Sequence, residues 1–312
     1  MVVQGVVARD QVKGGTLMKV KFWGVRGSIP VPGPKTVRYG GNTTCIEVRT
    51  SDNQLIILDA GTGIYPLSVA LVDELPVRAH IFNTHTHWDH IQGLPYFIPL
   101  FLPENKVTIY GAFDPVSQTS ISEILSVQMQ HRFFPVSEVE LQADIGFRTL
   151  REQEKVKIGN ATVTPYLMNH PVVNYGYRIE DNGKSLFFTG DHEPPYNSCT
   201  SKDAAYKKDE AALVALRESI VESIRDVDVL IADSAYTKQE YPAKQGWGHG
   251  TFDSSIRLAQ QAGAKHLYCT HHEPNRDDDS LEHVFAEALE QREHFEDEPE
   301  YFLAREGLTI EV

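Results

Sequence analysis

No apolar run in this chain of 312 residues approaches the ~20 needed to cross a bilayer, so no membrane span is expected. Basic residues are scarce: 29 Lys and Arg stand against 43 Asp and Glu, a net charge of −14. That deficit argues against a large nucleic-acid footprint, because gripping a phosphate backbone needs a basic face. A small anionic substrate stays open to it if bound metal ions supply local positive charge. Cysteine is scarce as well. Cys45, Cys199 and Cys269 have no paired spacing, which excludes a disulfide scaffold. No basic segment followed by an apolar core opens the chain, so no secretory signal is read there and a cytoplasmic location is expected. Cys45 and Cys269 lie in apolar runs and read as core fillers.

At 41% hydrophobic residues the chain can bury a full core. Residues 1–17 mix apolar pairs with polar residues and glycines, and read as a flexible extension ahead of a single domain, 18–312. Strand patterns are expected at 19–23, 44–48, 55–58, 80–83, 106–110, 162–168, 175–179, 185–188, 229–232, 266–270 and 308–312. Amphipathic helices are expected at 117–130, 203–224, 251–262 and 280–293. Asp181-Asn182-Gly183 signals a hairpin turn. Internal repeats and low-complexity segments are absent, and the acidic stretch 296–300 reads as solvated surface. Many strands with a few long helices imply a layered α/β protein, two sheets packed between helices.

The densest chemical signal is Thr84-His85-Thr86-His87-Trp88-Asp89-His90. Four metal-binding side chains lie in the order His-x-His-x-Asp-His just after a strand, where α/β proteins place their chemistry. Imidazole and carboxylate suit zinc or a similar divalent ion. Asp59, His170, Asp191, Asp233 and His271 each sit at the end of another strand pattern. A lone His or Asp there is usually a cap, but five of them with the cluster could converge on one sheet edge.

In that order and spacing the chain resembles the metallo-β-lactamase superfamily, over residues 19–271. The resemblance implies an αββα sandwich with two mixed sheets between helices, and a binuclear site holding two Zn2+, with Mn2+ the alternative. It assigns His85, His87 and His170 to one metal, Asp89, His90 and His271 to the other, and Asp191 to both. Asp59 would orient a ligand histidine from behind. Diiron oxidoreductases similar to this family carry a carboxylate at the second cluster position. His87 there favours hydrolysis over oxygen chemistry.

Gly246-Trp247-Gly248-His249-Gly250-Thr251 resembles the glycine-His-Ser/Thr motif of the tRNase Z and cyclic-phosphodiesterase branch. There the histidine protonates a leaving oxygen, and an acidic residue, matched here by Asp233, orients it. Asp89 would both bind metal and accept a proton from the nucleophile. The arm by which tRNase Z enzymes hold tRNA commonly lies between the equivalents of His170 and Asp191. Those residues are only 21 positions apart here. The expectation is therefore a phosphodiesterase for a small cyclic phosphodiester or nucleotide, with a homodimer as its assembly. Ser28, Asn42 and Thr43 are candidates for holding a phosphate oxygen. His131 and Arg132 are candidates for an anionic group, and Tyr236, Phe133, Phe134 or Trp247 for stacking on a base. A tight structural turn explains the glycines near Ser28 and Asn42 equally well. A ribonuclease without the arm, a thioester, lactone or β-lactam hydrolase, and a ligand-sensing protein on the same fold are the alternatives.

Overall fold

The computed structural model describes residues 17–199, 206–295 and 297–312. The extension read at 1–17 lies outside them except for Leu17, as does the first part of the helix expected from 203.

Strands β1 (Lys19–Gly24), β2 (Cys45–Arg49), β3 (Leu55–Leu58), β4 (Arg78–Phe82), β5 (Lys106–Gly111) and β6 (Asp144–Thr149) build the first sheet in chain order. Strands β7 (Val156–Ile158), β8 (Ala161–Met168), β9 (Asn174–Asp181), β10 (Lys184–Phe188), β11 (Val229–Asp233), β12 (His266–Thr270) and β13 (Glu300–Leu303) build the second. Strand β14 (Thr309–Glu311) returns to pair antiparallel with β1. Each sheet is mixed. Strands β3 to β6 run parallel, as do β10 to β13, and the remaining pairs are antiparallel. Helices α1 (Ile64–Ala70), α2 (Trp88–Ile91), α3 (Ile121–Gln128), α4 (Tyr206–Ile224), α5 (Phe252–Ala262) and α6 (Asp278–Glu290) complete the fold.

Period-two alternation explains the layers. On β3, Ile56 and Leu58 enter the core between the sheets, where they join Phe22, Phe82, Tyr177 and Phe188. Leu55 and Ile57 face the other way, onto Ile64 and Leu67 of α1 and Leu125 of α3. On the second sheet, Phe187, Leu230 and Leu267 pack against Phe252, Ile256 and Ala259 of α5. Both central sheets are thus buried on both faces, the αββα arrangement expected from the resemblance. Asn182 and Gly183 adopt φ of 49° and 77° and close the β9–β10 hairpin where its turn was read. Among the described residues no helix is long and apolar enough to cross a membrane.

The differences from expectation fall at the margins. Strands β6, β7 and β13 lack a clear sequence signal because each is a sheet edge, short or half exposed. Helix α3 starts at Ile121 rather than 117, since Ser120 and Glu123 form a capping box that ends the preceding loop. Helix α6 starts earlier than 280 because the Asp277 side chain accepts from the Ser280 amide as its N-cap. Asp89 and His90 belong to the one-turn helix α2 rather than to an open loop.

Candidate metal centre

The parallel strands deliver their C-terminal ends to one rim of the sandwich. Asp59 follows β3, residues 83–90 follow β4, Asp191 follows β10, Asp233 ends β11 and His271 follows β12. Asp59 and His271 adopt left-handed backbone, φ 62° and 59°, as does Ser28 at φ 62° beside them. Such conformations persist in non-glycine residues only where the surroundings over-determine them, and they concentrate at functional sites.

Two groups of donor atoms meet at Asp191. His85, His87, His170 and Asp191 form one, and Asp89, His90, Asp191 and His271 the other, each with its ligand atoms within 4.8 Å of one another. The two carboxylate oxygens divide the groups. Asp191 Oδ2 lies 3.4 Å from His85 Nε2 and 4.0 Å from His170 Nε2. Asp191 Oδ1 lies 3.1 Å from His90 Nε2 and 3.2 Å from His271 Nε2. Asp89 Oδ2 is 3.2 Å from the same His271 nitrogen and accepts from the Ser28 amide at 2.7 Å.

The ring tautomers follow from the outer hydrogen bonds. His90 Nδ1 donates to Asp59 Oδ2 at 2.7 Å. His85 Nδ1 meets Thr84 Oγ1 at 3.1 Å, and that hydroxyl donates to Asp59 in turn. His170 Nδ1 donates to the Gly248 carbonyl at 3.0 Å. In each ring Nε2 is left as the lone-pair nitrogen facing inward, which is what a metal ligand requires. His85 Nε2, His90 Nε2 and Asp191 Oδ1 are buried without a hydrogen-bond partner among the described residues. Buried polar atoms are rarely left so, and an N/O donor set of this kind fits a pair of divalent ions such as zinc.

Charge separates the two groups. Burial holds the His85, His87 and His170 imidazoles below their ordinary range, hence neutral. Burial opposes charge on His90 and His271 too, but the surrounding carboxylates outweigh it. Asp191, Asp89 and Asp59 hold His90 well above its ordinary value, and Asp191, Asp233 and Asp89 lift His271 to about 9. The negative field that favours protons there is the field a divalent cation would occupy.

Gly27 makes this packing sterically strict. A Cβ on it would fall 2.1 Å from His271 Cε1. Gly27→Ala is therefore expected to displace the His271 ring and lower the metal content of the second group, as measured by elemental analysis. An unchanged metal content would mean that the ring can yield.

His249 lies beside both groups. Its Nδ1 is 3.0 Å from Asp233 Oδ2 and 3.7 Å from Asp191 Oδ2, and its ring stacks on His271 with centroids 4.6 Å apart. Burial works against its charge, but Asp233 and Asp191 hold it above its ordinary value. Tyr236 is buried and meets the His249 ring edge-on. Asp233 also accepts from the amides of His192 and Ala235, which fixes its carboxylate. Asp191, Asp233, His249 and His271 themselves form a third set of atoms close enough to share an ion.

Other expected residues are placed elsewhere. The Asn42 amide and side chain donate to Glu306, and Thr43 exchanges hydrogen bonds with Thr62. Both are thereby committed to the turn, so the structural explanation accounts for them. Ser28 contributes its backbone amide, while its side chain is exposed. His131 and Arg132 are exposed after α3, and no hydrogen bond or ion pair among the described residues ties them to the donors. Phe134 packs against Tyr96 and Phe101, Phe133 is exposed, and exposed Trp247 lies under Lys244. Two residues had no sequence signal of their own. Thr84 bridges Asp59 to the His85 ring, and Glu193 accepts from Tyr241, Gly246 and Gly248.

Comparison with known proteins places these features in a wider group. The model of a family described as "Beta-lactamase superfamily domain" matches residues 54–272. Ribonuclease BN of Cronobacter sakazakii is 25% identical over 303 residues, covering 86% of this chain and 94% of that protein. The metallo-beta-lactamase fold protein YhfI of Bacillus subtilis superposes with a TM-score of 0.65 at 19% identity, over 95% of this chain and 99% of the other. A diphosphatase from the PhnP family superposes with a TM-score of 0.62 at 20% identity, over 95% and 98%.

Proposed function

The chain belongs to the β-lactamase superfamily and has the fold of its metallo-hydrolases, and we propose that within it this protein is a binuclear phosphodiesterase acting on a small cyclic phosphodiester or nucleotide. The observation that carries the reading is His249. Its Nδ1 is held by Asp233 and stands 3.7 Å from Asp191 Oδ2, which leaves Nε2 as the ring nitrogen free to serve a substrate. A proton donor in that position serves a reaction whose leaving group is a poor one, such as the alkoxide of a phosphodiester. Thioester or lactone hydrolysis would leave the Asp233–His249 pair without a task, and a ligand sensor would have no use for either donor set.

Two divalent ions bound by the donor groups would neutralise phosphate oxygens and lower the pKa of an attacking water. The residues do the rest. Ser28 donates its amide to Asp89 and so fixes the carboxylate that would accept the proton of the attacking water. His249 would return a proton to the departing oxygen, with Asp233 holding its tautomer.

Substrate size is inferred from charge and space. A net charge of −14 weighs against a long nucleic acid, whose phosphate backbone calls for a basic face. Between His170 and Asp191 the chain forms only the β9–β10 hairpin. Beside His170 lies a cleft of about 360 Å³, walled by Pro171, Tyr196 and Leu213. That volume falls in the range of small-molecule sites. The likeness to ribonuclease BN supports attack on a phosphodiester and keeps RNA as the competing substrate.

Cyclic mononucleotides, cyclic dinucleotides, ribosyl cyclic phosphates and short RNA, assayed side by side with Zn2+ and Mn2+, test the proposal. Turnover of a small cyclic diester well above that of RNA is expected. RNA cleaved fastest would establish the ribonuclease instead. Protein purified without chelator is expected to carry two ions per chain by elemental analysis. A folded, metal-replete sample with a stoichiometry near zero would overturn the site.

A further inference from the structure

Glu193 is 2% exposed, and no Lys, Arg or His forms an ion pair with it among the described residues. A carboxylate so enclosed is stable only if hydrogen-bond donors replace the water it has lost. The three donors it has among the described residues come from one short segment. Tyr241 Oη donates to Oε1 at 2.7 Å, the Gly246 amide to Oε1 at 2.8 Å and the Gly248 amide to Oε2 at 3.0 Å. Gly246 and Gly248 adopt φ of 89° and 92°, which turns both amides onto the same anion. At Gly248 a Cβ would also fall 2.3 Å from His170 Nδ1, so the segment touches the metal ligand directly.

The connections close into a ring. The Glu193 amide donates to the Asn169 carbonyl at 2.9 Å, and Asn169 Nδ2 donates to the Glu193 carbonyl at 2.9 Å. His170 follows Asn169, and its Nδ1 donates to the carbonyl of Gly248. Gly248 donates back to the Glu193 carboxylate, and His249 is the next residue. One side chain therefore ties the loop that presents His249 to the backbone that presents His170.

We propose that Glu193 is a positioning residue, whose carboxylate clamps the 241–249 loop so that the leaving-group acid and the first metal group are held in register. This rests on the reading of His249 as that acid. The carboxylate touches no substrate in this role. It sets where His249 stands relative to Asp191 and His170.

Glu193→Gln keeps the shape but turns an amide NH2 toward backbone N–H groups, while Tyr241→Phe removes a single donor and leaves the carboxylate. Both are compared with the metal-loaded parent at saturating Zn2+. In Glu193→Gln, amide exchange across residues 241–249 and trypsin cleavage after Lys244 are expected to rise, with exchange elsewhere unchanged. Hydrolysis of a diester with an alkoxide leaving group is expected to slow by ~10–10²-fold, short of the full ~10²–10⁴-fold worth of a general acid. Bis(p-nitrophenyl) phosphate, whose leaving group needs no proton, should be nearly unaffected. Tyr241→Phe should move each readout the same way by less, and in a His249→Ala background Glu193→Gln should cost nothing further on the alkoxide substrate. Unchanged exchange in both variants overturns the clamp. So does equal slowing of the two substrates, which would make Glu193 a support of the metal group alone. If His249→Ala itself shows no dependence on leaving group, the functional reading fails, and the exchange comparison still decides the clamp.

Discussion

Asp89→Ala is expected to abolish phosphodiester turnover while leaving a folded protein that still binds metal. The Asp89 carboxylate is 6% exposed, and Oδ2 stands where the Ser28 amide, His271 and His90 converge. Burial alone would raise its pKa, but His90 and His271 hold it below the usual carboxylate range. Its removal deletes a donor of the second group and the proposed proton acceptor together. The proton-transfer role alone is worth ~10²–10⁴-fold in rate, and weaker metal binding adds to that. His85, His87, His170 and Asp191 keep their places, so metal content should fall toward one ion per chain rather than none. Elemental analysis, circular dichroism and turnover on one sample check all three statements. A fully active variant would refute the mechanism, and a metal-free one would mean that the two groups bind their ions only together.

His249→Ala should discriminate between substrates rather than silence the enzyme. With an alkoxide leaving group the rate is expected to fall by ~10²–10⁴-fold. With bis(p-nitrophenyl) phosphate the fall should be far smaller, since nitrophenolate departs without a proton. Asp233→Asn should give a weaker form of the same pattern, because Asp233 acts through the imidazole at 3.0 Å. Metal content is the second readout. The atoms of His249 and Asp233 also lie within ligand distance of Asp191 and His271. If both substrates slow equally and metal is lost, His249 is a ligand, and the assignment of His271 must be revised. If neither substrate responds, the histidine is a loop residue ahead of α5, and the phosphodiesterase reading loses its main support beyond the metals.

The candidate residues that meet at the rim were legible in the sequence because their signal is local. His85, His87, Asp89 and His90 are crowded together directly after a strand, and Asp59, His170, Asp191, Asp233 and His271 each follow an apolar strand pattern. Those runs are central strands, buried on both faces, so their hydrophobicity marks their ends. The fold class followed from the same runs. Edge strands β6 and β13 have one open side and little burial, and β7 is only three residues long, so none of them carries a long apolar run.

What the sequence by itself determined was which residue types stand at the strand ends, and so the chemistry available at the rim. Only the tertiary structure decided which atoms share a hydrogen bond. It committed Asn42 to Glu306 and Thr43 to Thr62, 264 and 19 positions away. It left His131 and Arg132 in solvent, and it made Glu193 the hub of the His249 loop. A hydrogen bond is set by distances of a few tenths of an ångström between groups far apart in the chain. Burial and periodicity are written into neighbouring residues, whereas those distances exist only once the two sheets have packed.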